Sequence, residues 1–204
     1  MALQLCTAPE VSVKGGTFLK KKSLFHIIIT IAIMAAATIA DQLTKWLAVQ
    51  YLKPVGSVSL LKFGETQWLN LTYCENTGMS FSLFEGHRLL LIGLPVILIG
   101  VVLWYIFSGK AKETRFVIPL AFLAGGGLGN LIDRVFLGYV VDFIDFRIIN
   151  FAIFNVADIC AVLGGIAFGI MVLVQDFRDE KKKKAENKEK AEVTDKAETA
   201  ENNE

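Results

Sequence analysis

The stretch GNLIDRVFLGYVVDFIDF, from Gly129 to Phe146, and the following FNVADICAVLGG hold four aspartates in apolar surroundings: Asp133, Asp142, Asp145 and Asp158. Ionisable residues in such surroundings are costly and are therefore candidates for function. Two carboxylates held close together share a proton, because ionisation of one raises the pKa of the other. The ionised group can take a proton from water while the neutral group polarises a carbonyl, which is the acid–base chemistry of hydrolysis by two aspartates.

The local sequence favours Asp142 and Asp158 as this pair. They lie in VVDF and VADI, and removal from water raises a carboxylate pKa most in such apolar settings. Asp133 directly precedes Arg134, so we expect these two residues to form a charge pair with a structural role. Asp145 is expected to be exposed in a short link between helices. No Ser/His or Cys/His nucleophile arrangement and no metal-binding motif is visible in the sequence.

Further polar residues accompany the aspartates at helical spacing. Residues three or four positions apart lie on one helix face, and the pattern occurs in three places: Asp41 with Lys45, Asn130 with Asp133 and Arg134, and Asn155 with Asp158. A helical bundle would turn these faces inward and bring the groups together. The alternative is that they serve only as polar contacts between helices, but that role is usually filled by Ser, Thr, Asn or Gln.

The elements that must position these residues are transmembrane helices. The chain has 204 residues, 53% of them hydrophobic, and a mean hydropathy of +0.50. A span needs about 20 apolar residues, and four stretches suit that length: Leu24–Ala40, Leu89–Ser108, Phe116–Ile132 and Phe151–Val174. One alternative is a soluble bundle, whose helices would show a polar face. Another is a cleaved signal peptide in place of the first span, although apolar patterning continues past Ala40.

Basic residues predict the orientation, because Lys and Arg are enriched on the cytoplasmic side of membrane proteins. They cluster before the first span, between the second and third, and after the fourth: Lys20–Lys22, Lys110–Arg115 and Arg178–Lys184. Four crossings place all of these clusters on one side. We therefore expect both termini to be cytoplasmic and the polar groups to gather at the outer leaflet.

The connection between the first two spans has the pattern of strands. VSLLKF, WLNLTY and MSFSLF partly alternate in polarity, and Gly64 and Asn76–Thr77–Gly78 supply turns. The predicted fold is an all-α integral membrane protein with four transmembrane helices and a small extramembrane β-sheet between helices one and two. We expect an N-terminal cytoplasmic leader at 1–22, a membrane domain at 23–176 with its β region at about 54–86, and a disordered, charged cytoplasmic tail at 177–204.

Composition argues against several other function classes. The net charge of +1 does not indicate a nucleic-acid partner. Three cysteines, Cys6, Cys74 and Cys160, without CxxC spacing do not indicate a disulfide framework or a zinc site. An Asp-based proton or cation transporter is the alternative function, but it needs polar groups near mid-membrane. The inner halves of the predicted helices are apolar, as in the ranges from Leu94 to Leu103 and from Ile159 to Val174.

Five motifs together resemble those of the bacterial lipoprotein signal peptidases, also called type II signal peptidases: DQLTK at Asp41–Lys45, ENTG at Glu75–Gly78, GNLIDR at Gly129–Arg134, VVDF at Val140–Phe143 and FNVAD at Phe154–Asp158. They occur in the family's order, and the resemblance covers roughly Leu24 to Val174. The chain departs from the family at Met79 and Ser80, where small alanines usually follow the glycine.

The resemblance implies an aspartyl endopeptidase of the bacterial inner membrane. Such an enzyme removes the signal peptide of a prolipoprotein by cutting before a cysteine that carries diacylglyceryl. It implies that Asp142 and Asp158 are catalytic and that Asn155 supports them, with further substrate-contacting or site-shaping residues at Asp41, Lys45, Asn76, Gly78, Asn130, Asp133 and Arg134. The expected partners are the lipid-modified prolipoprotein and membrane lipid, and we expect a monomer that uses neither a cofactor nor a metal.

Overall fold

The computed structural model of the protein describes residues 14–78, 87–111, 113–149 and 151–201. Its elements are α1 (Lys14–Leu47), which continues into a π-helical turn (Ala48–Leu52), β1 (Ser57–Phe63), β2 (Thr66–Asn76), α2 (Arg88–Phe107), α3 (Thr114–Phe136), β3 (Val140–Phe146), a 3₁₀ turn (Arg147–Ile149) and α4 (Val156–Glu201). Within these ranges, four helices are long and apolar enough to cross a membrane: Leu24–Leu52, Arg88–Phe107, Thr114–Phe136 and Val156–Lys188. The predicted fold class of a four-helix membrane protein with a small sheet is thereby confirmed.

Helix α3 is the centre of the bundle and packs against each of the other three helices. Its glycines permit a very close approach to α4. A Cβ atom at Gly126 would lie 2.3 Å from the carbonyl oxygen of Ala157, and one at Gly164 would lie 2.6 Å from that of Pro119. Small residues at helix contacts are typical in membranes, where packing replaces the hydrophobic effect as the force between helices. The run GGGLGN therefore lets the polar ends of α3 and α4 come together.

The half of the bundle remote from the aspartates is held mainly by apolar packing. Ile99, Val102 and Ile106 of α2 are buried against Val117 and Ala121 of α3. One polar contact joins α1 to α3 in the same region, because His26 Nε2 lies 3.1 Å from Thr114 Oγ1. A buried histidine with such a partner has a structural role.

The strands form one antiparallel sheet in the order β1-β2-β3. Gly64 opens the β1–β2 turn at φ +60°, a conformation that glycine adopts without strain. Strand β3 was not predicted, since VVDFIDF lies between α3 and α4 and alternates poorly in polarity. The aspartates assigned to a link therefore lie in a strand, where Asp142 is paired with Cys74 of β2. The predicted strand MSFSLF lies outside the described residues.

The sheet rests on the end of α1 through its apolar face. Val141 and Phe143 of β3 are buried against Ala48 and Leu52 of the π-helical turn. Because successive side chains of a strand point to opposite faces, Asp142 is turned away from this cluster. The packing of its two neighbours thus fixes the direction in which the Asp142 carboxylate points.

The expectation of a disordered tail is not what the structure shows, because α4 continues as one helix to Glu201. The prediction rested on the lack of large apolar residues, which prevents a segment from building its own core. Ala, Glu and Lys nevertheless have high helix propensity, and α4 already supplies the nucleus from which a helix can propagate. Likewise α1 begins at Lys14, inside the predicted leader.

Candidate active site

Asp142 lies on β3 with only 2% of its surface exposed. Its two carboxylate oxygens accept hydrogen bonds from two side-chain amides, at 2.8 Å from Asn76 Nδ2 and at 2.6 Å from Asn155 Nδ2. Burial, together with the charge of Asp158, raises the pKa of Asp142 to about 6, and both amide donors oppose the shift. The Asp142 carboxyl group therefore keeps its proton to a higher pH than an ordinary aspartate does.

Asp158 lies in the first turn of α4, in a reciprocal contact with Asn155. The backbone N–H of Asp158 donates to Asn155 Oδ1 at 3.0 Å, and the backbone N–H of Asn155 donates to Asp158 Oδ2 at 3.1 Å. This is the geometry of a capping box, which satisfies the unpaired N–H groups at a helix start. The motif FNVAD thus begins α4 and fixes the Asp158 carboxylate at the positive end of the helix dipole.

Two asparagines connect the carboxylates of Asp142 and Asp158. Asn155 Nδ2, which binds Asp142, also lies 3.0 Å from Asn130 Oδ1. Asn130 Nδ2 in turn donates to Asp158 Oδ1 at 2.7 Å. The network therefore runs from β3 through α4 and α3 and back to α4, and it joins the residues that the sequence predicted as catalytic and supporting.

Lys45 sits beneath this network with 3% of its surface exposed. Its ammonium group donates to Asn130 Oδ1 at 2.8 Å and forms salt bridges to Asp41 at 2.8 Å and to Asp133 at 2.9 Å. A lysine ammonium has three hydrogens, so these three acceptors match its capacity. Since Lys45 and Asn155 both donate to the oxygen of Asn130, the amide nitrogen of Asn130 must face Asp158.

The two acids bound by Lys45 also attach other elements to the site. Asp41 Oδ1 accepts the backbone N–H of Ala157 at 2.9 Å, which joins α1 to the start of α4. Asp133 Oδ2 accepts the backbone N–H of Val141 at 3.1 Å, which joins α3 to β3. A Cβ atom at Gly129 would lie 2.5 Å from Asp41 Oδ2, so any larger residue there would displace the Asp41 carboxylate from its present contacts.

The predicted charge pair between Asp133 and Arg134 is wrong, because Asp133 pairs with Lys45. Adjacent residues of a helix point about 100° apart, so neighbours in sequence do not face each other. Gln42 was not singled out from the sequence, yet its side-chain amide lies 2.9 Å from Asp133 Oδ1 and 3.2 Å from the carbonyl oxygen of Gly129. Gln42 lies three positions before Lys45 and therefore on the same helix face, and this spacing could have identified it from the sequence.

Arg134 extends over the site from the last turn of α3. Its Nη2 donates to the carbonyl oxygen of Gly78 at 2.9 Å, which places the ENTG motif beside α3. The backbone N–H of Gly78 lies 2.9 Å from Asn76 Oδ1, so a local turn connects Gly78 to a ligand of Asp142. Arg134 is 9% exposed, and its Nε finds no partner among the residues that the structure describes. Among the described residues, this buried N–H group is therefore a donor without an acceptor. Met79 and Ser80, the departure from the family pattern, lie outside the described ranges.

The prediction that Asp145 is exposed is also wrong, since only 8% of its surface is accessible. Its Oδ2 accepts hydrogen bonds from Thr72 Oγ1 at 2.8 Å and from Arg147 Nε at 2.9 Å. These partners belong to the sheet and to the turn after it, and none belongs to the Asp142–Asp158 network. Cys74, opposite Asp142, has a thiol pKa raised by burial and remains protonated. Among the described residues, no His/Cys/Asp/Glu group has a metal-binding arrangement.

Comparison with protein families gives one match that covers most of the chain. A family model described as signal peptidase (SPase) II matches residues 33–174. A lipoprotein signal peptidase of Caldanaerobacter subterraneus is 42% identical over 143 residues, which cover 70% of this chain and 94% of that protein. A lipoprotein signal peptidase of Halalkalibacterium halodurans is 39% identical over 168 residues, which cover 80% and 97%.

Solved structures show the same architecture. A structure described as a bacterial membrane enzyme, obtained by the in meso method at 2.3 Å resolution, has a TM-score of 0.64 and 30% identity, covering 74% of this chain and 90% of that one. A second, described in the same words at 1.9 Å resolution, has a TM-score of 0.61 and 31% identity, covering 71% and 92%.

Proposed function

Because the chain belongs to the signal peptidase II family, we propose that it is an aspartyl endopeptidase that removes the signal peptide of diacylglyceryl-modified prolipoproteins. The cut is made just before the lipidated cysteine. The observation that carries the proposal is the hydrogen-bonded network that joins Asp142, Asn155, Asn130 and Asp158. It connects two carboxylates from different elements through two asparagine side chains, which supports the proposal because hydrolysis by an aspartate pair needs two carboxyl groups held in a fixed relation.

The environments of the two carboxylates suggest different roles. Asp158 lies in the first turn of α4, and each of its carboxylate oxygens accepts an N–H donor, at 2.7 Å from Asn130 Nδ2 and at 3.1 Å from the backbone of Asn155. We assign Asp158 as the base that takes a proton from water. Asp142 is buried and its pKa is raised to about 6, so it is assigned as the acid that donates a hydrogen bond to the scissile carbonyl.

The reaction then follows general acid–base hydrolysis. The water oxygen attacks the carbonyl carbon while its proton passes to Asp158. The developing oxyanion is stabilised by the proton of Asp142 and by the free donor of Arg134. The C–N bond breaks when Asp158 passes the proton that it took from water to the departing amine of the lipidated cysteine, and the signal peptide leaves with a new C-terminal carboxyl group.

The protein is a multi-pass membrane protein, and the finer localisation is part of the proposal. We place it in the bacterial inner membrane as a monomer surrounded by lipid, with both termini cytoplasmic and the site at the outer leaflet. Its substrate then stays in the membrane during cleavage. Reporter fusions after Lys184 should give a cytoplasmic signal and fusions near Gly64 an external one. A cytoplasmic signal from the fusion near Gly64 would contradict the proposed position of the site at the outer leaflet.

One cleavage assay tests the function most directly. Purified protein is incubated with a diacylglyceryl-modified prolipoprotein and, separately, with the same protein lacking the lipid. We expect cleavage of the lipidated form only, with the lipidated cysteine as the new N-terminus. A preparation of Asp142→Asn serves as the control for contaminating proteases. Equal cleavage of both forms, or none of either, would contradict the proposal.

No observation favours the alternative of a proton or cation transporter. Asp41, Lys45, Asp133 and Arg134 lie at one end of the described bundle, and both acids that pair with Lys45 are also bonded to another element. The histidine at the opposite end is bonded to Thr114.

A further inference from the structure

Arg88, the first residue of α2, contacts the C-terminal end of α3. Its Nη2 donates to the carbonyl oxygen of Arg134 at 3.3 Å and to that of Val135 at 3.1 Å. The last four carbonyl groups of a helix have no partner within it. Asp133, one residue earlier, already accepts the backbone N–H groups of Leu137 and Gly138. Arg88 therefore supplies donors to two carbonyls that the helix itself leaves open.

One of the two carbonyls bound by Arg88 belongs to Arg134, whose side chain extends over the candidate site. The backbone carbonyl of Arg134 is bound by Arg88, and the guanidinium of Arg134 is bound to the carbonyl oxygen of Gly78. Gly78 and Arg88 flank the connection between β2 and α2. Arg134 is thus held from its backbone and from its side chain by residues on the two sides of that connection.

We propose that Arg88 is a positioning residue for this enzyme, which holds the last turn of α3 so that the Arg134 guanidinium stays aimed at the substrate carbonyl. The inference rests on the proposed function, because it assigns Arg88 an effect on that reaction. It needs no contact between Arg88 and the substrate. A positive group at a helix C-terminus also opposes the negative end of the helix dipole, and a guanidinium can direct two hydrogens of one nitrogen to two carbonyls.

The first test is a double-mutant cycle measured as kcat/KM on lipidated prolipoprotein. Arg88→Ala should lower kcat/KM by roughly 10- to 100-fold, since a small misplacement of a binding group has effects of that order. In the Arg134→Lys background the same change should cost less than about 2-fold, because interacting residues are not additive. Arg88→Lys should retain an intermediate activity.

Arg115 provides a matched control at the other end of α3. Its guanidinium lies near Glu113 and Gln175, far from the Asp142–Asp158 network along the helix. Arg115→Ala should leave kcat/KM within about 2-fold of its parent in both backgrounds. Equal fold-losses for Arg88→Ala in the two backgrounds would mean that Arg88 contributes only to folding, and the inference would be overturned. So would an unchanged kcat/KM for Arg88→Ala alone.

A second readout does not depend on cleavage. Hydrogen exchange at the amides of Leu137 and Gly138, which bond to Asp133, reports opening of the last turn of α3. Arg88→Ala should speed their exchange by about tenfold, and Arg115→Ala should not. Unchanged exchange overturns the inference. If Arg88→Ala speeds this exchange as expected but the wild-type protein cleaves no substrate, the contact of Arg88 with α3 is supported and the proposed function fails.

Discussion

The side-chain amide of Asn155 lies 2.6 Å from Asp142 Oδ1, so the residue that immediately precedes α4 donates a hydrogen bond to a residue of β3 that lies 13 positions earlier. Asn155 in addition exchanges hydrogen bonds with Asp158. One asparagine therefore holds both members of the proposed catalytic pair in a fixed relation. This arrangement makes the effects of single substitutions specific enough to predict.

Asp142→Asn and Asp158→Asn should each abolish cleavage while leaving a folded membrane protein. Asparagine keeps the size of the side chain but cannot take up or release the proton, and acid–base assistance is worth about 10²–10⁴ in rate. Because the pair acts as a unit, the double variant should be little worse than either single one. Cleavage of lipidated substrate is the measurement.

Asp145→Asn is the matched control for these variants. It changes a buried aspartate of the same strand, whose partners are Thr72 and Arg147 and not the Asp142–Asp158 network. Most of the activity should remain. The assignment of the pair is falsified if Asp142→Asn or Asp158→Asn cleaves lipidated substrate at near the wild-type rate. An inactive Asp145→Asn would mean that the wrong aspartates were chosen.

The activity should fall as the pH rises through the pKa of Asp142, because Asp142 is assigned as the proton-holding member. Burial raises this pKa to about 6, and the Asn76 amide lowers it by stabilising the ionised form. Asn76→Ala removes that donor, so the descending limb of the kcat/KM profile should move to higher pH. Asn70→Ala, on the same strand but bonded to Gln67, should not move it. A kcat/KM that rises instead of falling as the pH passes through this pKa would show that the ionised form of Asp142 is the active one.

Lys45→Met should strongly destabilise the protein. It would leave the buried carboxylates of Asp41 and Asp133 without their cation, and breaking a buried ion pair in this way costs about 3–5 kcal/mol. Adding Asp133→Asn should recover part of the loss, because it removes one of the two unpaired charges. Thermal unfolding in detergent measures both variants, and a double variant less stable than Lys45→Met would contradict the proposed charge balance.

Arg134→Lys should reduce kcat/KM more than a change that conserves charge usually does. The guanidinium binds Gly78 through Nη2 and retains a buried Nε donor, whereas lysine has a single charged nitrogen at the end of a flexible stem. We expect the loss to appear in kcat/KM on lipidated substrate. Wild-type turnover would mean that Arg134 acts only as a counter-charge.

Local spacing was sufficient to predict which polar residues meet. Asp41 with Lys45 and Asn155 with Asp158 each lie on one helix face, and in an apolar environment such faces must turn toward one another. The partner of each group across the bundle was not predictable in this way. Lys45 forms a salt bridge with Asp133 of α3, and Arg88 donates a hydrogen bond to the carbonyl oxygen of Arg134 at the end of the same helix. Such contacts depend on how the helices pack, which local spacing does not determine.

Two local features were missed for different reasons. Strand β3 has consecutive apolar residues around Asp142, so its period does not distinguish it from a link. The tail lacks a core but not helix propensity, and it continues α4 as a helix to Glu201. The composition of the tail indicated that it cannot form a hydrophobic core of its own, but it did not indicate that the tail would be helical.

The joint role of Asn155 has a consequence for the order in which the enzyme becomes competent during synthesis. A chain made from its N-terminus contains α1, the three strands and α3 before the ribosome has added α4. Until then Asp142 lacks its Asn155 donor and Asp158 does not exist. With Asp142 and Asp158 as the proposed catalytic pair, we expect that the nascent chain cannot cut a neighbouring signal peptide while it is itself being inserted, and that hydrolytic capacity arises only with its last membrane helix.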